Sequence, residues 1–469
     1  MPKVLALVVA AVLLSSDSNK EGIPISSDLG FVDRSFDEET GGTQRSALDV
    51  SALLTAARGA PPLICSLASQ SVSGFGWNNF SDAPSAPLGA TTAVLDQESG
   101  NRELAPADVE LLLQSLASED PCVRELSVKL VSRRRNEAAV SGLVSRLGSP
   151  SPSLREIAAF GLGLGEAKTV VEPLIRTLSD ATPSVRANAA WALGRIESGR
   201  ALAPLMGLVG DRTEMVRHAA VIAVGRLDST RSASTLTRVL RQDDSPRVRR
   251  AAAWGLGQLE AREAVDALGA ALAQDNDARV REMSAWALGN IESRSGTPAL
   301  LAAARRDADD RVREVAVWAL GQIEDDMSVD ALASIAASDR SARVRGTAAW
   351  AIGQTRGDGG RAPAGLIGLL KDPDMDTRLK AAWALGQIGD SLALPAIHAA
   401  LRVEKNQEIN RALIRALMKS GERSTAALTS LLESRDPEVR EAAVRGLAGR
   451  NSMNPWPWPW PRPRPMIRD

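Results

Sequence analysis

VREMSAWALGNIE, residues 280–292, sets a large aromatic, Trp286, four positions before an amide, Asn290, on a strongly amphipathic stretch. At about 100° per residue in an α-helix, Val280, Ser284, Ala287, Leu288 and Ile291 fall on one side, the face expected to meet a core. Glu282, Met283, Trp286 and Asn290 project from another side, and small Ala285 and Gly289 lie on the flank where a neighbouring backbone could approach. A single helix of this kind cannot enclose its own apolar face, so it needs a partner.

The partner is more of the same. Aligned on the valine-arginine pair, the phrase returns as PCVRELSVKLV from 121, PSLREIAAFGLG from 152, PSVRANAAWALGRIE from 183, EMVRHAAVIAVGRLD from 214 and PRVRRAAAWGLGQLE from 246. It continues as DRVREVAVWALGQIE from 310, ARVRGTAAWAIGQTR from 342, MDTRLKAAWALGQIG from 375, QEINRALIRALMKSG from 407 and PEVREAAVRGLAGR from 437. The anchors are spaced by 30 to 33 residues throughout, which is the signature of a tandem array. Three positions before each anchor stands Asp120, Ser151, Thr182, Thr213, Ser245, Asp277, Asp309, Ser341, Asp374, Asn406 or Asp436. All are good N-caps, each worth about 1 kcal/mol. Between the capped helices lie leucine- and alanine-rich segments such as ALAPLMGLVGD from 201 and AVDALGAALAQD from 264, the second helix of each pair. The expected fold is all-α: an α-solenoid of about eleven two-helix repeats over residues 105–450.

The phrase VRxxAAxALGxIE, with an aspartate-containing turn before it and a leucine-rich helix after it, resembles the HEAT-like repeat of the phycobilisome-lyase type. In such arrays the equivalent helices of successive units line a concave surface. The resemblance therefore implies one continuous stripe of Trp191 with Arg195, Trp254 with Gln258, Trp286 with Asn290, Trp318 with Gln322, Trp350 with Gln354, and Trp383 with Gln387. Phe160 and Ile222 take the aromatic position in two earlier units. This WxxxN or WxxxQ pairing is similar to the ladder of armadillo-repeat nuclear import receptors, where tryptophans pack ligand side chains and asparagines hold a peptide backbone. Packed helices sit about 8 to 10 Å apart and an extended chain advances about 3.1 to 3.4 Å per residue, so one rung serves three ligand residues. The competing reading is structural: each indole packs against the next repeat's alanines and glycine and seals an interface.

The arginine after each anchor, including Arg155, Arg186, Arg249, Arg281, Arg313, Arg345 and Arg378, resembles a basic stripe. The turn residues Asp180, Asp211, Asp275, Asp307, Asp339 and Asp372 offer it partners, and an internal Asp-Arg ladder that attracts no phosphate is expected. Net charge is -1 over 469 residues, which gives no bulk reason to bind nucleic acid. Cys65 and Cys122 lack CxxC spacing and read as two separate small hydrophobes; a disulfide requires export. Export is itself expected, to the periplasm or the medium of a bacterium. Lys3 precedes an apolar run from Val4 to Leu14 that suits a signal peptide over residues 1–16 and is too short to span a bilayer; without cleavage the protein stays cytoplasmic.

Residues 17–46 read as a flexible linker, and 47–104 as a short helical N-terminal cap with a loop around Trp77 and Phe80. At the far end Arg415, Lys419, Arg445 and Gly449 replace the rung residues and mark a polar cap. Residues 451–469, with WPWPWPRPRP, read as a disordered tail or one that docks on the chain's own groove. The two histidines, His218 and His398, lie far apart and each precedes alanine, unlike the His-Glu pairs of HEAT-like deoxyhypusine hydroxylase. With no phosphate loop, thiolate-imidazole pair or zinc spacing, no catalytic residue, metal or cofactor is expected. The expected function is a non-catalytic scaffold for a partner protein or extended peptide; the alternative is a bilin lyase-like enzyme or chromophore-binding accessory protein.

Overall fold

A computed structural model describes residues 49–60, 104–132, 136–227, 230–356, 360–421, 425–433 and 437–447. The expected signal peptide, linker, cap loop with Trp77 and Phe80, Cys65, Asp436, Gly449 and C-terminal tail lie outside the described residues. The chain forms two compact units, one ending at Leu227 and the other beginning at Asp228. In the first, Val50–Ala57 and Pro106–Ser115 precede the repeat helices Pro121–Ser132, Glu137–Arg146, Pro152–Gly165, Val171–Thr177, Pro183–Ile196, Leu202–Leu208 and Glu214–Arg226. In the second, Ala233–Gln242 is followed by the pairs Pro246–Gln258 with Val265–Gln274, Ala278–Ile291 with Thr297–Arg306, Asp310–Ile323 with Val329–Ser338, and Ala342–Arg356 with Ala364–Gly368. Met375–Ile388 with Leu394–Val403, Gln407–Lys419 with Thr425–Leu431, and Pro437–Leu447 complete it. No strand occurs among the described residues, and the architecture is the α-solenoid the spacing predicts.

The predicted core face of the helix Ala278–Ile291 is the observed one: Val280, Ser284, Ala287, Leu288 and Ile291 are all buried. The flank is tighter than a core. A methyl group on Gly289 would stand 2.9 Å from both the Trp318 ring edge and the Ala319 Cα of the following repeat. The same close approach recurs at Gly163 against Trp191, Gly257 against Trp286, Gly321 against Trp350 and Gly353 against Trp383. Glycine lets two helix backbones meet there, and any side chain would force them apart.

Asp120, Asp277, Asp309, Asp374 and Asn406 cap their helices through the side chain. Ser151, Thr182, Thr213 and Ser245 hold the cap position and its extended backbone but make no side-chain cap bond, a correction to the uniform capping expected. Three of them are followed by proline. At the other end the chain leaves the helix in the left-handed region at Glu166, Glu197, Glu260, Glu292 and Glu324, where glycine is usual; the equivalent of these in a later repeat is Gly389. Each such glutamate costs about 1–2 kcal/mol.

The arginines form the expected internal ladder, and its direction is now defined. Arg281 spans to the following repeat, donating from Nε and Nη2 to the two carboxylate oxygens of Asp307 at 2.8 and 3.0 Å, while its Nη1 donates back to Asp275 O at 2.9 Å. Arg155–Asp180, Arg186–Asp211, Arg249–Asp275, Arg313–Asp339 and Arg345–Asp372 repeat the two-pronged geometry, and Arg378 uses Glu404. Each aspartate also accepts the N–H of the cap residue two positions on, as Asp307 does from Asp309 at 2.9 Å. Arg124, whose following turn carries Ser149 in place of aspartate, bonds the carbonyls of Ser118 and Glu119.

Cys122 is buried and disulfide-bonded, which corrects the reading of two separate small hydrophobes. The arginine bond holds the Asp180 carboxyl below its ordinary range against a smaller push from burial. For Asp211, Asp275, Asp307 and Asp372 burial is the largest single influence and acts upward, but the arginine, the backbone N–H and nearby positive charge together outweigh it. Depressed carboxylates stabilise the fold above the unfolded value, near about 3.9 for aspartate, and lose that contribution as pH falls through the lower folded-state values. Urea midpoints are therefore expected to drop steeply below about pH 4, and Asp307→Asn is expected to lower the midpoint at pH 7 and flatten the acid limb. An acid limb of unchanged slope in that variant would refute the ladder's role in acid stability.

Candidate binding site

The indoles do not stand open. Trp191, Trp254, Trp318 and Trp350 are buried, with 4%, 6%, 7% and 6% of their surface exposed, and Trp286 and Trp383 are half-buried. The expectation of rings turned to solvent as ligand platforms is corrected at the four buried positions. Where Gly289 leaves room, the ring edge of Trp318 fills it, and the competing interface reading describes the buried rings; Trp286 and Trp383 make the same edge contact at Gly257 and Gly353 yet stay half-exposed. Phe160, in the aromatic position of its own repeat, stacks on Trp191 at 5.0 Å between ring centroids.

Arg195 is likewise internal. Its Nε donates to Gly163 O at 3.2 Å, its Nη2 pairs with Glu166, and its guanidinium lies 5.5 Å over the Trp191 ring. It braces one repeat against the preceding one and leaves few donors for a ligand.

The amides behave differently. Gln258 and Gln387 are exposed, and Asn290, Gln322 and Gln354 are half-exposed. Among the described residues none of these side-chain amides forms a hydrogen bond within the chain. An amide offers a carbonyl acceptor and two N–H donors, so the second unit carries a row of unengaged donor-acceptor groups at a fixed offset, each one helical turn from a packed indole. Half-exposed Trp286 and Trp383 give the row two partly accessible aromatic edges.

Two carboxylates share this face. Glu282 and Glu314 occupy the same offset in successive repeats, and each is half-buried. Burial is the main influence on both and pushes their carboxyls above the ordinary range, partly opposed at Glu282 by Arg311 and Arg250 and at Glu314 by Arg343, Lys380 and Arg311. Arg343 lies 3.7 Å from Glu314 and 2.9 Å from Asp310. The helical wheel puts these glutamates on the right face, but their desolvation depends on the following repeat and has no signal in the sequence. Among the described residues no group of three or more His, Cys, Asp or Glu side chains converges as a metal-binding set, and no helix is long and apolar enough to cross a membrane.

An α-solenoid whose units are locked by a Gly-Trp contact and an Asp-Arg ladder defines the class, and comparison with known proteins gives the family. HEAT repeats match in overlapping segments from residues 140–225 to 362–448, covering well over half of the chain, and the chain belongs to the HEAT-repeat family. A bilin biosynthesis protein, PecE, of Mastigocladus laminosus is 40% identical over 72 residues, 15% of this chain and 27% of that protein, so the chain spans about a quarter of this relative's length. Among solved structures, Kap95p, described as binding RanGDP, aligns with a TM-score of 0.55 at 16% identity over 87% of this chain and 62% of its own. Yeast importin-β (Kap95p) aligns with a TM-score of 0.51 at 17% identity, over 85% and 62%. At these identities the structural likeness concerns the fold.

The two halves of a rung separate by mutation. Trp318→Ala is expected to cost about 3–5 kcal/mol of stability, the range for a buried large aromatic, whereas Gln322→Ala is expected to change it by less than about 0.5 kcal/mol. Urea denaturation of both variants checks this, and a Trp318→Ala protein as stable as the parent would exclude the interface role.

Proposed function

We propose that this HEAT-repeat chain is a non-catalytic interaction scaffold that holds an extended segment of a partner protein along the amide row of Gln258, Asn290, Gln322, Gln354 and Gln387. The observation that carries this reading is the regular presentation of unengaged amides, one per repeat, on helices whose tryptophans are buried or half-buried at the repeat junctions. An extended backbone offers N–H and C=O groups in alternation and needs such partners when it leaves water. Half-buried Glu282 and Glu314 add a preference for a basic side chain near the centre of the row. Kap95p, of the same fold, binds another protein. A photoreactive residue at Gln322 or Gln354 is expected to crosslink to one extended partner segment, rungs and residues in register at about three residues per repeat. Crosslinks of equal yield from Ala302, on a leucine-rich helix, would sink the proposal.

A second reading is supported by the PecE likeness: a bilin lyase-like enzyme or a chromophore-binding accessory protein. Under the scaffold reading, protein produced alongside a bilin purifies without visible absorbance, and a coloured product would favour the second reading. We also infer export to the periplasm or beyond, on the apolar N-terminal run and the disulfide at Cys122, since such bonds persist in oxidising compartments. N-terminal sequencing is expected to find a mature start near residue 17; an intact Met1 in the cytoplasmic fraction would overturn it.

A further inference from the structure

A tandem repeat supplies its own background, so a local departure from the pattern stands out. Between the ends of the leucine-rich helices Thr297–Arg306 and Val329–Ser338 lies an open cavity of about 600 Å³, within the usual size of small-molecule sites. Its floor is the buried guanidinium of Arg313, and its walls carry Arg305, Arg306, Arg340, Ser334 and Ser338. The two carboxylates at the cavity are already neutralised, Asp307 by the fork of Arg281 and Asp339 by that of Arg313. Arg305 and Arg306 are exposed and, among the described residues, form no ion pair. Arg340 reaches back across the gap between the two turns, its Nη2 donating to Ala308 O at 2.8 Å. The cavity therefore holds a surplus of three positive charges.

Basic residues near a helix C-terminus can serve the helix dipole alone. The repeats argue against that explanation here. The positions of Arg305 and Arg306 are Ala273 and Gln274 in the preceding repeat and Ala337 and Ser338 in the following one, and those helices end without a cation. The position of Arg340 is Asn276 and Ala308 in the two preceding repeats. Single basic residues take these positions in other repeats, Arg241 and Arg402 where Arg305 stands, Lys371 where Arg306 stands, and Arg212 and Lys405 where Arg340 stands, but at no other junction do all three positions carry one, and here they line one inter-repeat cavity with two serines. Guanidinium forks match phosphate oxygens two at a time, and the Ser334 hydroxyl adds a neutral donor; Ser338 donates to Ser334 O at 2.8 Å.

We propose that this cavity binds a small, multiply charged phosphate compound, a free polyphosphate or phosphate ester, at a site separate from the amide row. The three arginines clamp its oxygens, and Arg313 fixes the floor. Binding there would tie the turn at Ala308 to the turn at Arg340 and stiffen the array at one repeat junction.

Calorimetric titration of the full chain with pyrophosphate tests it. Binding is expected to weaken at least about tenfold in an Arg305→Ala, Arg306→Ala, Arg340→Ala variant, each contact to a charged group being worth on the order of that factor. A control that removes three other exposed arginines of the same unit, Arg238→Ala, Arg241→Ala and Arg262→Ala, is expected to bind as the parent does. All six side chains are exposed, so both variants are expected to melt as the parent; single Arg305→Gln substitution provides the same comparison should the triple variant melt early. No pyrophosphate binding by the parent, an equal loss in the control, or no loss in the first variant would overturn the assignment. So would binding of a phosphoserine peptide alone, which would make the ligand a modified protein.

Discussion

The structure depends on how closely one repeat can approach the next. Where successive tryptophan-bearing helices meet, the glycine of the ALGxI phrase has no side chain, and the alanine backbone and indole edge of the following repeat take that space. Helices this close bury alanines completely and turn a series of amphipathic segments into the core of each unit. A large ring and a missing side chain are thus two halves of one contact, made at Gly163, Gly257, Gly289, Gly321 and Gly353, while Gly194 and Gly386 meet the alanine alone.

The Asp-Arg ladder acts at the opposite end of the same helices. Each arginine holds three turns of backbone logic together: the carbonyls of its own turn, the carboxylate of the next, and through that carboxylate the N–H of the next cap. A partly buried arginine-carboxylate fork of this kind is costly to break from one side, because the partner is left desolvated. Small residues at the interface set the distance between repeats, and the ladder sets the conformation of the turns between them.

With these positions committed to structure, the groups available to ligands are those the repeat holds constant without using, and those it abruptly changes. The amides one turn beyond the indoles are of the first kind. Arg305, Arg306 and Arg340 are of the second. Glu282 and Glu314 lie between: regular in position, but desolvated by their neighbours so that proton binding is favoured in the folded state, which opposes the acid lability of the aspartates.

Much of this was written in the residues themselves. The spacing of the valine-arginine pairs, the cap positions and the i, i+3, i+4 run of Val280, Ser284, Ala287 and Leu288 determined the two-helix repeat and its core face, because helical periodicity is a local property of the chain. The aspartate after each leucine-rich helix and the arginine after each anchor determined that the two would pair. Which tryptophans would be sealed was decided only by the tertiary structure, since the wheel gives a direction around one helix and says nothing of how near the next helix stands. Trp286 and Trp318 share a sequence context, yet one is half-buried and the other buried. The same is true of the desolvated glutamates, of Arg195 braced on Glu166, and of the arginine-lined cavity: each is a meeting of residues some thirty positions apart, and distance across a repeat junction exists only once the repeats have packed.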